Sequence, residues 1–186
     1  MRPVRCYRIE CMILITCLIA VIILLDQLSK NFALYHLPIG QDVNCLDPVF
    51  HFHYHENRGA AWGILQDHPW IFMVLSTVAI IAILIFLFLY RKKKLHPVLR
   101  YGLTFIAAGG IGNMIDRFSN GFVIDFIEFG FVDFPIFNVA DSFVTIGSFS
   151  IIIYLLIDMI RDAGKKKASV KIAPQTDPEE TEKSDE

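Results

Sequence analysis

Apolar residues in this chain are gathered into long blocks instead of recurring at the three-and-four spacing of a globular helix face. Four blocks approach the roughly 20 residues that a membrane crossing needs. The first runs from about Cys11 to Leu25, and extends to about Leu34 if Asp26 and Lys30 lie near the headgroups; it reads as the least apolar of the four. The second, Trp70 to Tyr90, is almost uninterrupted and stops at Arg91-Lys92-Lys93-Lys94. The third runs from Val98 or Tyr101 to Ile115, is rich in Gly and Ala, and stops at Asp116-Arg117; the fourth runs from about Val139 to Ile160 and stops at Arg161. Between the first two blocks, Phe50-His51-Phe52-His53-Tyr54-His55 alternates aromatic and histidine, the period-two mark of a strand.

Composition agrees with this pattern: 54% of the 186 residues are hydrophobic, enough for one membrane domain, placed at residues 1–162. From Ala163 the chain turns Lys-rich and then Pro-, Asp- and Glu-rich, so residues 163–186 are expected to be a disordered tail. The net charge of −2 conceals an asymmetry. Of 17 Lys and Arg, all but Lys30, Arg58 and Arg117 fall at the N-terminus, in the loop at 91–100, or from Arg161 onward. Positive charge marks the cytoplasmic side, so both termini are expected there, with the loops at about 35–69 and 118–138 outside. The fold class expected is an all-α membrane protein, with four transmembrane helices and a small extracytoplasmic β-sheet platform. No small-x-small cleavage site follows Leu24-Leu25-Asp26-Gln27, so the first block reads as an uncleaved span. Cys6, Cys11 and Cys17 lie on or near that span and only Cys45 should reach the outside, so no structural disulfide is expected. Neither a nucleic-acid partner nor a cofactor is expected.

Candidate chemistry centres on Asp125, inside Val123-Ile124-Asp125-Phe126, and Asp141, inside Phe137-Asn138-Val139-Ala140-Asp141-Ser142. An ionisable group against hydrocarbon costs about 2.5–3.5 kcal/mol on insertion scales, so two of them point to a working site. Facing carboxyl groups can share one proton and activate water. The bland alternative is two solvated loop acids. Asp26 and Lys30, four residues apart, either ease a helix through the interface as a simple pair or belong to the site. Asp116-Arg117 can be an orienting pair or merely a helix anchor. His51, His53 and His55 could bind a transition metal, but no second ligand element accompanies them, and a solvated strand face is the expectation; no metal site is assigned. Ala107-Ala108-Gly109-Gly110-Ile111-Gly112 reads as a seam for close helix packing. A proton-coupled transporter would also keep intramembrane acids, but no internal repeat supports one. A purely structural protein would leave both aspartates idle.

Five ordered blocks settle which family to compare. Asp26-Gln27-Leu28-Ser29-Lys30, Asn57-Arg58-Gly59-Ala60-Ala61-Trp62, Gly109 to Arg117, Val123 to Phe126 and Phe137 to Ser142 together resemble lipoprotein signal peptidase, also called signal peptidase II. The resemblance spans roughly residues 26–142 and leaves out the N-terminal extension, the tail and the histidine run. It implies a bacterial inner-membrane aspartyl endopeptidase that removes signal peptides from prolipoproteins, cutting before a diacylglyceryl-modified cysteine. It assigns catalysis to Asp125 and Asp141. Supporting roles fall to Asn57, Gly59, Asn113, Asp116, Arg117, Asn138 and Ala140, together with Asp26 and Lys30. Its partners would be lipid-modified precursors and membrane lipids.

Overall fold

In a computed structural model of the chain, the backbone is described at residues 4–37, 43–46, 49–59, 69–92 and 95–172. Four helices dominate: α1 (Val4–His36), α2 (Pro69–Leu89), α3 (Pro97–Asn120) and α4 (Val139–Ile172). Three strands, β1 (Val43–Leu46), β2 (Phe50–Asn57) and β3 (Val123–Phe129), form an antiparallel sheet in the order β1-β2-β3. Each helix contains a stretch long and apolar enough to cross a membrane: Met12–His36, Trp70–Leu89, Pro97–Asn120 and Val139–Lys165.

The helices differ in what they offer their neighbours. Helix α2 is apolar all round, and Val74, Leu75, Val78, Ile85 and Phe88 are each more than half exposed, as suits a helix bathed in hydrocarbon. Helix α3 is the least apolar, with a mean hydropathy of 1.2 against 2.4 for the first span, which corrects the order expected from sequence. Its glycines and alanines lower that value, and they are also what lets it pack. Hydrocarbon gives apolar helices no hydrophobic reason to associate, so close contact depends on small residues. Ala107 and Ala108 are fully buried. A Cβ on Gly109 would run into the backbone carbonyl of Ala140, and one on Gly112 would lie 2.5 Å from Asp26 Oδ2.

The ends of α3 follow from local chemistry. His96 Nδ1 accepts a hydrogen bond from Val98 N at 3.3 Å, and Pro97 occupies the first turn, where its missing N–H costs nothing. At the other end Gly121, at φ 82°, adopts the left-handed cap and donates its N–H to Arg117 O at 3.1 Å. The helix therefore continues past Asp116-Arg117, where the sequence pattern ends the span, because both charges find partners inside the protein.

The sheet sits at the end of the bundle where α1 and α3 finish. Tyr54, Ile124 and Phe126 pack with Ala33 of α1 into a small buried cluster. Strands β2 and β3 pair through Phe50↔Phe129, His51↔Glu128, His55↔Asp125 and Asn57↔Val123, with an irregularity between Phe52 and His55. Phe129 contacts Phe134 and Phe137, with ring centroids 5.6 and 5.1 Å apart. A bridge between Ile127 and Phe137 then fixes the start of α4 beside β3. The histidine face is solvated at His55, which is exposed, and partly covered at the other two: His51 and His53 side chains are 23% and 14% exposed, with Nδ1 atoms 3.9 and 3.8 Å from Glu128 Oε2.

The chain divides into two units, residues 1–151 and 152–186. Helix α4 continues to Ile172, beyond Ala163 where a tail is expected to begin; its Lys-rich stretch is a good helix former, and Lys165 lies 3.7 Å from Asp162 one turn back. The rest of the expected tail lies outside the described residues, as do Ala60, Ala61 and Trp62 and the side chains of Cys6, Cys11 and Cys45. Cys17 is a free, exposed thiol.

Candidate active site

The first turn of α4 places Asp141. Asn138 is the residue before that helix, and its Oδ1 accepts the N–H of Asp141 at 2.9 Å, while Asp141 Oδ2 accepts the N–H of Asn138 at 3.2 Å. This reciprocal pair is a capping box with Asp in the place usually held by Glu or Gln. The intervening orphan N–H, that of Ala140, donates to Asp26 Oδ1 at 2.9 Å, a bond that reaches across 114 residues from α1. Three side chains thus satisfy the start of α4, and one of them is a candidate reacting group.

Asp125 comes from the middle of β3 and is 1% exposed. Its Oδ1 accepts from Asn138 Nδ2 at 2.6 Å and its Oδ2 from Asn57 Nδ2 at 2.8 Å. Asp141 is matched in the same way: Oδ1 accepts from Asn113 Nδ2 at 2.7 Å. Each of the four carboxyl oxygens therefore takes one N–H. Burial, and then the neighbouring charge of Asp141, push the Asp125 carboxyl up to about 7, against the two asparagine bonds and the more distant charge of Lys30.

Behind the pair lies a second layer of charge. Lys30, 1% exposed, places its ammonium 2.8 Å from Asp26 Oδ2 and 2.9 Å from Asp116 Oδ2. Asp116 Oδ2 also accepts the N–H of Ile124, the residue before Asp125, at 3.2 Å. Gln27 Nε2 donates to Asp116 Oδ1 at 2.9 Å and lies 3.2 Å from Gly112 O. Asp26 and Lys30 are thus more than an i,i+4 pair, because their partners lie on α3 and α4.

Asp141 opens onto a cavity of about 750 Å³ bounded by α2, α3, α4 and the β3–α4 segment. Asn57, Asn113 and Arg117 line its polar end; Phe72, Ile80, Ile83, Ile106 and Val144 give it apolar walls. Asp125 reaches this space through Asn57. Arg117 sits 4.6 Å over the ring of Phe72 and donates to Gly59 O at 3.3 Å, while Gly59 N donates to Asn57 Oδ1 at 3.0 Å. Among the described residues, no group of His, Cys, Asp and Glu is arranged to hold a metal ion.

The structure thus brings together the site residues that the resemblance implies, and leaves His51, His53 and His55 outside: Asp125 and Asp141 in the centre, Asn57, Asn113 and Asn138 on their oxygens, Gly59 and Arg117 at the cavity, and Asp26, Lys30, Asp116 and Ala140 behind. Sequence reasoning passed over Gln27 and Phe72. Gln27 lies inside the Asp26–Lys30 block and could have been found there; Phe72 is one aromatic in an apolar run and carries no local signal.

Two carboxyl groups, Asp141 at the polar end of an apolar cavity and Asp125 buried behind it, within four membrane-length helices, make the arrangement of a membrane-embedded aspartic peptidase. The sequence model of signal peptidase (SPase) II matches residues 18–157, and the chain belongs to that family of multi-pass membrane peptidases. A lipoprotein signal peptidase of Brevibacillus brevis is 40% identical over 148 residues, covering 80% of this chain and 95% of the relative. One from Streptococcus pneumoniae is 41% identical over 149 residues, covering 78% and 94%. A solved bacterial membrane enzyme, determined by the in meso method at 2.3 Å resolution, superposes with a TM-score of 0.70 at 34% identity, covering 81% of this chain and 90% of that one. A second, at 1.9 Å, gives 0.64 at 36% identity, covering 80% and 94%.

Proposed function

We propose that this peptidase removes signal peptides from prolipoproteins, hydrolysing the bond before a diacylglyceryl-modified cysteine with Asp125 and Asp141 as its acid–base pair. The observation that carries the reading is the placing of Asp141 at the polar end of a cavity whose other walls are apolar, with Asp125 joined to it through Asn138. A lipid-bearing cysteine suits such a space, since its acyl chains can stay among apolar walls while the scissile amide meets the acids.

The chemistry needs one proton on the pair. Burial and mutual repulsion favour a single charge shared between the two groups. The ionised carboxylate takes a proton from water as the water oxygen attacks the amide carbon, while the protonated one donates a hydrogen bond to the carbonyl oxygen. The tetrahedral intermediate is non-covalent. It collapses when the acid protonates the amide nitrogen and the C–N bond breaks, releasing the signal peptide and the free cysteine amine. The groups that reach the four carboxyl oxygens are three side-chain amides and one backbone N–H, which cannot accept a proton, so the shared proton is left for substrate and water. The pair titrates as a unit, and neither member is assigned as base. The family supports a bacterial inner-membrane location in contact with membrane lipid, and the distribution of Lys and Arg supports cytoplasmic termini with the site on the outer face.

Single-turnover cleavage of a purified lipidated precursor tests the reading. Asp125→Asn and Asp141→Asn should each leave precursor binding nearly intact and slow cleavage by about 10²–10⁴-fold or more. The double variant should be little slower than either, because the two act as one unit. Normal cleavage by either single variant would mean that another carboxyl does the chemistry.

A further inference from the structure

An asparagine amide can be turned either way, and three of them face the acid pair. Each has its carbonyl held by a group that can only donate. Gly59 N–H lies 3.0 Å from Asn57 Oδ1, Asp141 N–H lies 2.9 Å from Asn138 Oδ1, and Lys30 Nζ lies 2.8 Å from Asn113 Oδ1. The first two donors belong to backbone local to the asparagine. The third arrives from another helix, 83 residues away in sequence. An ammonium has three N–H groups and no acceptor, and here Asp26, Asp116 and Asn113 take one each.

We propose that Lys30 is a positioning residue for the reaction: by holding Asn113 Oδ1 it keeps the Asn113 NH₂ directed at Asp141. This rests on Asp125 and Asp141 being the reacting pair. Without the ammonium, the other donor to Asn113 Oδ1 is Asn138 Nδ2 at 3.0 Å. That group has two hydrogens and three acceptors in reach, the nearest being Asp125 Oδ1 at 2.6 Å, so it is a weak lock. A turned Asn113 would point its carbonyl at Asp141 and remove the donor from Oδ1.

A bland role competes with this one, in which Lys30 only neutralises Asp26 and Asp116. Charge and orientation can be separated by combining Lys30→Met with Asp116→Asn, which removes one ammonium and one carboxylate and leaves the net charge of the cluster unchanged. Lys30→Met alone should lower kcat by about 10–100-fold with little change in KM, the size expected when a reacting group is slightly misplaced. The charge-balanced pair should recover the amount of folded protein but not kcat. Adding Asn113→Ala to either should cost less than about threefold more, since Lys30 acts through that amide.

Full recovery of kcat in the charge-balanced pair would overturn the proposal, as would penalties of Lys30→Met and Asn113→Ala that multiply. If Lys30→Met does not fold, the same comparison is made wholly in the Asp116→Asn background. Asp141→Asn is run alongside: if it cleaves normally the functional reading fails, whereas a dead Asp141→Asn with multiplying penalties sinks only the role of Lys30.

Discussion

The raised pKa of Asp125 has a measurable consequence for stability. In the unfolded chain this group titrates at its ordinary 3.8, and in the folded protein at about 7. The folded state thus holds its proton more tightly, and the stabilisation this gives is complete below about pH 3.8 and is lost as pH rises to about 7. Each pH unit in that window is worth about 1.36 kcal/mol, so between pH 5 and pH 8.5 the wild-type chain should lose about 3 kcal/mol from this group. Asp125→Asn cannot titrate and escapes the loss. The amide does have a fixed cost, because Asn57 and Asn138 both donate to residue 125 and one of them would face an NH₂; that costs about 1–3 kcal/mol at every pH and cancels in the comparison. The assay is thermal unfolding of both proteins in detergent at pH 5 and pH 8.5. At about 2–4 °C per kcal/mol for a chain of this size, the midpoint of Asp125→Asn should gain about 6–12 °C on wild type between the two pH values. Parallel curves, or a gap that moves the other way, would show that the buried carboxyl carries no raised pKa.

Asp116→Asn should lower the yield or stability of folded protein, because breaking a buried pair costs about 3–5 kcal/mol, while single-turnover cleavage by the molecules that fold stays within a few-fold of wild type; a purely kinetic defect would move Asp116 into the chemistry. Gly109→Ala drives a methyl into the backbone carbonyl of Ala140 and should sharply reduce folded protein in membranes, whereas Gly164→Ala meets nothing within 4 Å and should leave it unchanged. A reporter active only outside the cytoplasm should give signal when fused after Asp67 and none after Lys94; the reverse would place both aspartates inside.

What the sequence made legible, and what it hid, follow the range of the forces involved. Spans are written in runs of about 20 apolar residues, so all four were readable. Their ends were harder wherever a charge finds its partner elsewhere: Asp116 and Arg117 look like a helix end until Lys30, the Ile124 N–H and the Phe72 ring are seen around them. Alternation revealed β2 but hid β3, whose Val123–Phe129 run mixes buried apolar residues with Asp125. The acid pair was visible because acids beside apolar blocks are costly and rare. The contacts that organise it, such as Lys30 to Asn113, join residues 83 apart and leave no mark on local pattern.

The capping of α4 by Asp26 ties the birth of the enzyme to its order of synthesis. The acid pair needs β3 and the first turn of α4, and that turn is held by a carboxylate from α1, a helix made well before it. Until α4 has entered the membrane and docked against α1, Asp141 has no fixed place and Asp125 lacks its bond from Asn138. On the proposed chemistry a half-inserted chain is therefore an inert one, and the protease cannot begin cutting before its own assembly is finished.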